Sequence, residues 1–203
     1  MVQLFIDGGG FMWPILLIFI IGLVFVLERL YHLLKGLSSN EEFAQEVADT
    51  VSSSGIDEAK EKCSDAEGPV ANLCIAALDR AKLGADEAEQ ALDHSGSIEM
   101  ASMEKNMTWI SLCIATAPML GFLGTVWGMI QAFNDIKMAN DISPAVVAGG
   151  ISVALLTTAF GLVVAVILQI FQNAVLYIID NQIVTLQKST IALLHSIKDS
   201  SKK

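Results

Sequence analysis

The sequence predicts an all-α membrane protein with three transmembrane helices. Three windows, residues 8–27, 106–134 and 142–179, contain no Asp, Glu, Lys, Arg or His. Each holds at least the roughly 20 residues that a helix needs to cross a hydrocarbon core about 30 Å thick. Only 17% of the residues are charged, against about a quarter in a typical soluble domain. Because helices satisfy their own backbone groups in lipid, we interpret the windows as spanning helices.

The distribution of cations predicts the orientation of these helices. Of the 12 Lys and Arg residues, only Lys137 lies between the second and third windows, and the other cations lie on the opposite side. The positive-inside rule makes that side cytoplasmic. The predicted segments are, in order, an outer N-terminus (1–10), transmembrane helix one (11–34), a cytoplasmic helical loop (35–108), transmembrane helix two (109–133), a short outer loop (134–143), transmembrane helix three (144–178) and a cytoplasmic helical tail (179–203).

The first window has one alternative interpretation, a cleaved signal peptide. Residues 1–27 contain no Lys or Arg, and no small-x-small site follows them. Instead Glu28, Arg29 and the nearby His32 and Lys35 close the apolar run, which is typical of the inner flank of a retained helix. We therefore expect this helix to stay in the protein.

Helix starts can be placed from capping residues. Asn40 and Asp86 are suited to cap helices in the cytoplasmic loop, and Ser143 followed by Pro144 is suited to begin helix three. From Asp86 onward the composition predicts one continuous helix that runs into helix two. The third window alone would be about 57 Å long as a helix, so helices two and three are expected to extend into the cytoplasm.

The net charge of −10 arises mainly in the cytoplasmic loop. Such an acidic surface argues against nucleic acid and anionic lipid as partners. Two interpretations stay open, namely solvated helix faces and a surface for a basic partner. No catalytic residues, metal cluster or cofactor site is predicted, so the protein is not expected to be an enzyme. Cys63, Cys74 and Cys113 are expected to be free thiols.

Small residues recur along one face of helix two and one face of helix three. At 100° per residue they fall within a narrow arc, and small residues let helices approach closely in lipid. We predict that these residues make helix-packing and partner contacts: Ala117, Gly121, Gly124 and Gly128 on helix two, and Gly150, Ala154 and Gly161 on helix three.

Threonines lie on the same two faces. Thr125, Thr157 and Thr158 could bond only to the backbone of their own helices, or their hydroxyls could line an ion pathway. A membrane proton relay normally uses Asp, Glu or His, and the spanning windows have none of these. If the protein conducts protons, a partner helix must supply the acid.

Two segments carry a family resemblance. GFLGTVWGMIQAF (121–133) resembles the second membrane helix of the ExbB/TolQ proton-channel family, and GISVALLTTAFGL (150–162) resembles its third-helix segment. Both lie in the family's order within a three-span chain, whereas the more distant MotA group has four spans. The resemblance implies that Thr125, Thr158 and the adjacent Thr157 line the proton pathway.

The resemblance also implies partners and a location. It implies a homopentamer around two copies of a single-span ExbD/TolR-like partner that carries an essential aspartate. A TonB-like or other envelope protein is a further expected partner. The location is the bacterial inner membrane, with the N-terminus in the periplasm and the C-terminus in the cytoplasm. The transported ion is expected to be the proton, although hydroxyl groups alone do not discriminate against sodium.

Two positions depart from the family pattern. Val153 stands where many members carry a glutamate, and the proline expected near Ile167 is absent.

The leading function is a channel-forming stator subunit of a proton-driven motor that energises outer-membrane transport or envelope processes. The alternative is a non-conducting scaffold in which the small-residue faces hold an oligomer together.

Overall fold

The computed structural model describes residues 2–35, 41–139 and 144–200, and these residues are almost entirely α-helical with no strand among them. The helices are α1 (Val2–Asp7), α2 (Met12–Lys35), α3 (Glu41–Ser53), α4 (Ile56–Ser64), α5 (Pro69–Ala81), α6 (Ala85–Met103), α7 (Met107–Ala139) and α8 (Pro144–Ser200). Three helical stretches are long and apolar enough to cross a membrane: Met12–Leu34, Ala85–Met138 and Val147–Asp199. The predicted all-α membrane fold with three spanning helices is therefore confirmed.

The first spanning helix, α2, begins and ends one residue after the predicted bounds of 11–34. Pro14 lies in its first turn, where a missing backbone N–H removes no intrahelical hydrogen bond. The short helix α1 precedes it and was not predicted, because six residues give too little periodicity to be recognised. Gly9, with φ +73°, makes the turn between the two helices.

The expected continuous helix from Asp86 into helix two is divided in the structure. Residues 104–106 form a turn between α6 and α7, and Asn106 adopts a left-handed backbone conformation with φ +66°. Asparagine is among the few residues that adopt this conformation readily. The predicted cap at Asp86 is also wrong, since the N-cap of α6 is Gly84 and Asp86 lies within the first turn.

Helices α7 and α8 both exceed the predicted spans of 109–133 and 144–178. The 57 residues of α8 correspond to about 86 Å of helix. Pro144 occupies the first helical position, as predicted. The predicted caps Asn40 and Ser143 lie outside the described residues.

Contacts divide the chain into two compact units, which are described separately. The first unit comprises Met1–Glu28 and Asn106–Ala174, and the second comprises Arg29–Lys105 and Val175–Lys203. Ile15, Cys113 and Leu168 are among the buried residues of a core cluster in the first unit. The core of the second unit includes Leu73 and Leu92, each at most 1% exposed.

All three cysteines are buried free thiols, as predicted. Cys63 of α4 and Cys74 of α5 are hydrogen-bonded to each other in the core of the second unit. This bond lowers the pKa of Cys63 and, together with burial, raises the pKa of Cys74.

Arg29 is the largest fully buried side chain of the second unit, at 2% exposed. Its Nη1 donates a hydrogen bond to the carbonyl oxygen of Ser102, 3.1 Å away. Nearby, Gln182 Nε2 of α8 donates to the carbonyl oxygen of Leu33 at 3.0 Å. Helix α2 is thus tied to α6 and α8 by side chains that bond to backbone carbonyls.

We expect Arg29→Ala to lower the free energy of unfolding by about 2–3 kcal/mol, because a buried charged hydrogen bond and its packing are lost. The apparent unfolding midpoint in detergent should fall by roughly 4–12 °C. Arg80→Ala is the matched control, since Arg80 is exposed on the same unit and should leave the midpoint unchanged. Equal midpoints for the two variants would contradict the assignment of Arg29 as a structural anchor.

Candidate functional site

The candidate site in the first unit is the contact between the antiparallel helices α7 and α8, called here the α7–α8 contact. A Cβ atom placed on Gly161 would lie 2.6 Å from the carbonyl oxygen of Ala117. One placed on Gly121 would lie 2.9 Å from the carbonyl oxygen of Thr157. Cβ atoms are essentially never found this close to a backbone oxygen. The two backbones therefore approach more closely than any larger residue would permit.

The close approach continues toward the C-terminal end of α7 and the N-terminal end of α8. A Cβ atom on Gly128 would lie 3.2 Å from Cβ of Ala154, and one on Gly150 would collide with Cβ of Ala132. Residue numbers fall along α8 as they rise along α7, as expected for an antiparallel pair. The contact therefore extends over about four turns of α7 and about three turns of α8.

The small residues singled out from the sequence lie on this contact: Ala117, Gly121, Gly124, Gly128, Gly150, Ala154 and Gly161. Ala117 and Ala154 are at most 3% exposed. Contact of these residues with a partner protein remains a prediction.

Two threonine hydroxyls bond across the α7–α8 contact to one backbone carbonyl. Thr158 Oγ1 donates to the carbonyl oxygen of Gly121 at 3.2 Å, and Thr157 Oγ1 shares its one hydrogen between that oxygen, 3.3 Å away, and a carbonyl of its own helix. Thr157 Oγ1 also lies 2.8 Å from the carbonyl oxygen of Ala154 in its own helix. The Gly121 carbonyl is reachable only because neither helix carries a large side chain at this level.

Thr125 of α7 bonds within its own helix, to the carbonyl oxygen of Phe122 at 2.5 Å. In each of the three threonines the hydroxyl hydrogen is thus committed to a backbone carbonyl. A hydroxyl oxygen keeps two lone pairs, so each threonine can still accept a hydrogen bond from a guest group. The site can therefore offer acceptors but cannot itself release a proton.

The three threonines differ in how far their side chains are buried. Thr157 is 1% exposed and lies inside the helix contact, whereas Thr125 and Thr158 are half-buried. The sequence could not make this distinction, because Thr157 and Thr158 are adjacent and both fall near the small-residue face. Of these three threonines, Thr125 and Thr158 present most of the surface that lies outside the contact.

Val153, which the family resemblance places at a glutamate position, is half-buried and borders a cleft of about 340 Å³ in the first unit. Thr157, Gln131 and Trp127 also line this cleft, as does the glycine segment 8–10. The Trp127 ring packs against Phe11, with ring centroids 6.3 Å apart. The cleft is open enough for a side chain longer than valine.

A polar network of side chains also lies in the first unit. Gln172 of α8, 8% exposed, donates through Nε2 to Ser111 Oγ of α7 at 2.6 Å. Gln169 Nε2 donates to Oε1 of Gln172 at 3.4 Å and to Oδ1 of Asn173 at 3.1 Å. The amide side chains stand out in an apolar stretch of the sequence. The structure was needed to show that Ser111 bonds to one of them. This network bonds α7 to α8 beyond the small-residue contact.

Asp, Glu, Lys, Arg and His are absent from the sequence of the charge-free windows that form this site. Among the residues that the structure describes, no group of three or more His, Cys, Asp or Glu could hold a metal ion. The chemistry available at the site is therefore limited to hydroxyl, amide and backbone groups.

Residues 65–188, more than half of the chain, match the family model of the MotA/TolQ/ExbB proton channel family. The chain belongs to this family. The match covers α7 and most of α8, and so includes the whole α7–α8 contact.

The relatives within the MotA/TolQ/ExbB family are named for ExbB. A putative biopolymer transport protein ExbB homolog from Methanothermobacter thermautotrophicus is 31% identical over 89% of this chain and 64% of its own length. An ExbB-like protein from Synechocystis is 30% identical over 80% of this chain and 65% of its own length. The biopolymer transport protein ExbB of Neisseria meningitidis is 32% identical over 74% of each chain. This chain thus spans just under two thirds of the first two relatives and is an ExbB-like family member.

We expect Gly161→Ala to weaken the α7–α8 contact, because its Cβ would meet the backbone carbonyl of Ala117 and the helices must move apart. Overpacking of this kind lowers the free energy of unfolding by about 1–3 kcal/mol. Gly149→Ala is the control, since a Cβ at Gly149 of the same helix meets nothing within 4 Å. Thermal unfolding in detergent measures both variants. A midpoint for Gly161→Ala at or above that of Gly149→Ala would contradict the close approach.

Proposed function

We propose that the protein is the channel-forming stator subunit of an ExbB/TolQ-type motor. The motor uses proton motive force to energise outer-membrane transport or another envelope process. It lies in the bacterial inner membrane with its N-terminus in the periplasm and its C-terminus in the cytoplasm. Family membership supports the class of activity, and the distribution of Lys and Arg supports the orientation.

The observation that carries the proposal is the pair of half-buried threonines beside the α7–α8 contact. Thr125 and Thr158 each retain acceptor lone pairs, and both lie in spanning windows that lack Asp, Glu, Lys, Arg and His. Such a wall can bond to a protonated carboxyl group but cannot carry a proton by titration. The titrating carboxyl group must therefore belong to another protein. We assign this role to a single-span ExbD/TolR-like partner, in two copies.

Thr157 takes a different role in this proposal. Its hydroxyl is enclosed by the two helices, so we assign it to helix packing and leave Thr125 and Thr158 as the pathway wall.

The proposed assembly is a homopentamer. Large apolar side chains are exposed along α7 and α8, among them Phe122, Phe133 and Leu155. They need either lipid or another copy of the chain to cover them. The pentamer rests on the family resemblance, as does a TonB-like or other envelope protein as the recipient of the work.

One observation favours the alternative, a non-conducting scaffold. All three threonine hydroxyls donate to backbone carbonyls, which is the arrangement that helix packing alone would give.

The identity of the transported ion is not decided by the hydroxyl groups, since their lone pairs can accept a hydrogen bond from a protonated group or coordinate sodium.

Thr158→Val tests the pathway role, because it preserves the shape of the side chain and removes the hydroxyl. We expect proton flux through the co-purified complex in proteoliposomes to fall at least about tenfold, as when a positioned hydrogen-bonding group is removed. Assembly should persist, and the unfolding midpoint should fall by about 2–4 °C, because the hydrogen bond to the Gly121 carbonyl is lost.

Thr157→Val is the matched control at the adjacent position. It should lower the unfolding midpoint by about 2–4 °C, equivalent to about 1 kcal/mol, while flux per assembled complex is retained. Flux that is unchanged in Thr158→Val would contradict the pathway role. A wild-type complex without flux of protons or sodium would favour the scaffold.

Val153→Glu tests the cleft at the position of the family glutamate. We expect the variant to fold and assemble, since Val153 borders open space, and its carboxyl group should titrate in a pH series of flux measurements. Ala154→Glu is the control and should fail to assemble, because Ala154 is 3% exposed against Gly128. Misassembly of Val153→Glu, detected by native mass measurement, would show that the position is packed.

A further inference from the structure

The polar side chains that join α7 to α8 in the first unit continue the faces that carry Thr125 and Thr158. We call them the amide network: Gln169, Gln172 and Asn173 of α8 and Ser111 of α7. Gln169 follows Thr158 by 11 residues, or about 16.5 Å along α8, with a rotation of only about 20°. Ser111 precedes Thr125 by 14 residues, or about 21 Å along α7, with a rotation of about 40°. The amide network therefore lies in line with the two threonines, in the direction of the proposed cytoplasmic side.

Two members of the amide network present polar groups at a depth where contact with lipid is unfavourable. Gln169 and Asn173 are exposed in the single chain, although both lie in the charge-free window that ends at Ile179. Polar groups in hydrocarbon lose their hydrogen bonds to water, so such side chains normally face a helix interface or a water-filled cavity. The face that Gln169 shares with Thr158 directs it toward the proposed pathway.

Hydrogen bonds hold the amide of Gln169 so that its oxygen is the atom left for a guest. Its Nε2 donates to Oε1 of Gln172 at 3.4 Å and to Oδ1 of Asn173 at 3.1 Å, which uses both hydrogens. Gln172 is held in turn by Ser111, which accepts from Nε2 of Gln172 at 2.6 Å and donates to the carbonyl oxygen of Met107 at 3.2 Å. Among the residues that the structure describes, no donor bonds to Oε1 of Gln169. This oxygen therefore keeps both lone pairs for a hydrogen-bond donor.

A further acceptor lies between the threonines and the amide network. Pro118 lies inside α7, seven residues from Thr125 and seven from Ser111, which is about 10.5 Å of helix in each direction. Because proline has no backbone N–H, the carbonyl of Ile114 loses the donor that an α-helix normally supplies. Pro118 and Ile114 are each within about 20° of the face that carries Thr125. Hydroxyl, carbonyl and amide oxygens thus follow one another along one side of the helix pair.

We propose that Gln169 is a further pathway residue, whose side-chain oxygen accepts a hydrogen bond from a hydrated proton between the threonines and the cytoplasm. This inference rests on the proposed function. The partner's carboxyl group transfers its proton to a water molecule, which leaves a carboxylate and a hydronium ion. An O–H group of the hydronium ion donates to Oε1 of Gln169, and no covalent bond of this chain forms or breaks. Gln172 and Ser111 are positioning residues, because their hydrogen bonds orient the amide of Gln169.

Gln169→Met tests this role, because methionine has nearly the length of glutamine and its thioether is only a weak acceptor. We expect proton flux per assembled complex in proteoliposomes to fall about tenfold, since a hydrogen bond to a charged group is lost. Gln187→Met is the matched control, because Gln187 is exposed on the same helix beyond the charge-free window and should leave the flux unchanged. Equal flux in the two variants would overturn the inference.

Gln169→Glu separates a pathway role from a structural one. Its carboxylate keeps two acceptor oxygens and adds an ionisation that the glutamine side chain lacks. We therefore expect more flux than in Gln169→Met and an additional titration step in the dependence of flux on pH. A residue that only joined the helices would leave the pH dependence of flux per assembled complex unchanged, and that result would overturn the inference. This variant decides the question if Gln169→Met fails to assemble.

A pair of variants at Ser111 tests the positioning of Gln169. Ser111→Ala removes the acceptor of Gln172 Nε2, so flux per complex should fall about threefold, as for the loss of one neutral hydrogen bond. Ser111→Thr keeps the hydroxyl and should restore the flux. Equal flux in the two variants would overturn the positioning role.

Failure of this inference is distinguishable from failure of the proposed function. A wild-type complex that conducts no protons would overturn both. A conducting wild-type complex whose flux falls in Thr158→Val and is full in Gln169→Met would overturn this inference alone.

Discussion

The close approach of α7 and α8 is the constraint on which the rest of the proposed site depends. In lipid, two helices gain no hydrophobic free energy from association, so they must be held by van der Waals contact and hydrogen bonds. Glycine and alanine allow both kinds of interaction. Their small side chains let the two backbones come into van der Waals contact, and they leave the carbonyl of Gly121 accessible to the hydroxyls of Thr157 and Thr158. A methyl group added at Gly161 would separate the helices and move these hydroxyls away from their acceptor.

The same contact explains why the threonines are acceptors and not proton carriers. Each hydroxyl hydrogen is directed at a backbone carbonyl. The threonine oxygens therefore keep only their lone pairs for interaction with other groups. Without Asp, Glu, Lys, Arg or His in its spanning windows, the chain can shape a pathway and orient a guest carboxyl group, as proposed above. The proposed division between a subunit that forms the wall and a partner that brings the acid is consistent with this chemistry. It also accommodates Val153, where the family resemblance implies a glutamate in many members.

The spans and the small-residue faces could be predicted from the sequence, because they depend on local properties. Charge-free windows locate spanning helices, and a 100° period places Gly121, Gly124 and Gly128 on one face. The different burial of Thr157 and Thr158 could not be predicted, since it depends on the rotation of α8 against α7. The burial of Arg29 was also missed, because an arginine at the end of an apolar run normally extends toward water. The turn at residues 104–106 interrupts a composition that is otherwise continuously helical.

The central claim is that this chain forms a pathway wall but does not move protons alone. The most direct test is proton flux into liposomes that contain either the purified chain alone or the complex with its acid-bearing single-span partner, under the same imposed pH gradient. The account predicts no flux above empty liposomes for the chain alone and a clear flux for the complex, abolished when the partner's membrane carboxylate is replaced by its amide. Proton flux through the chain alone would contradict it.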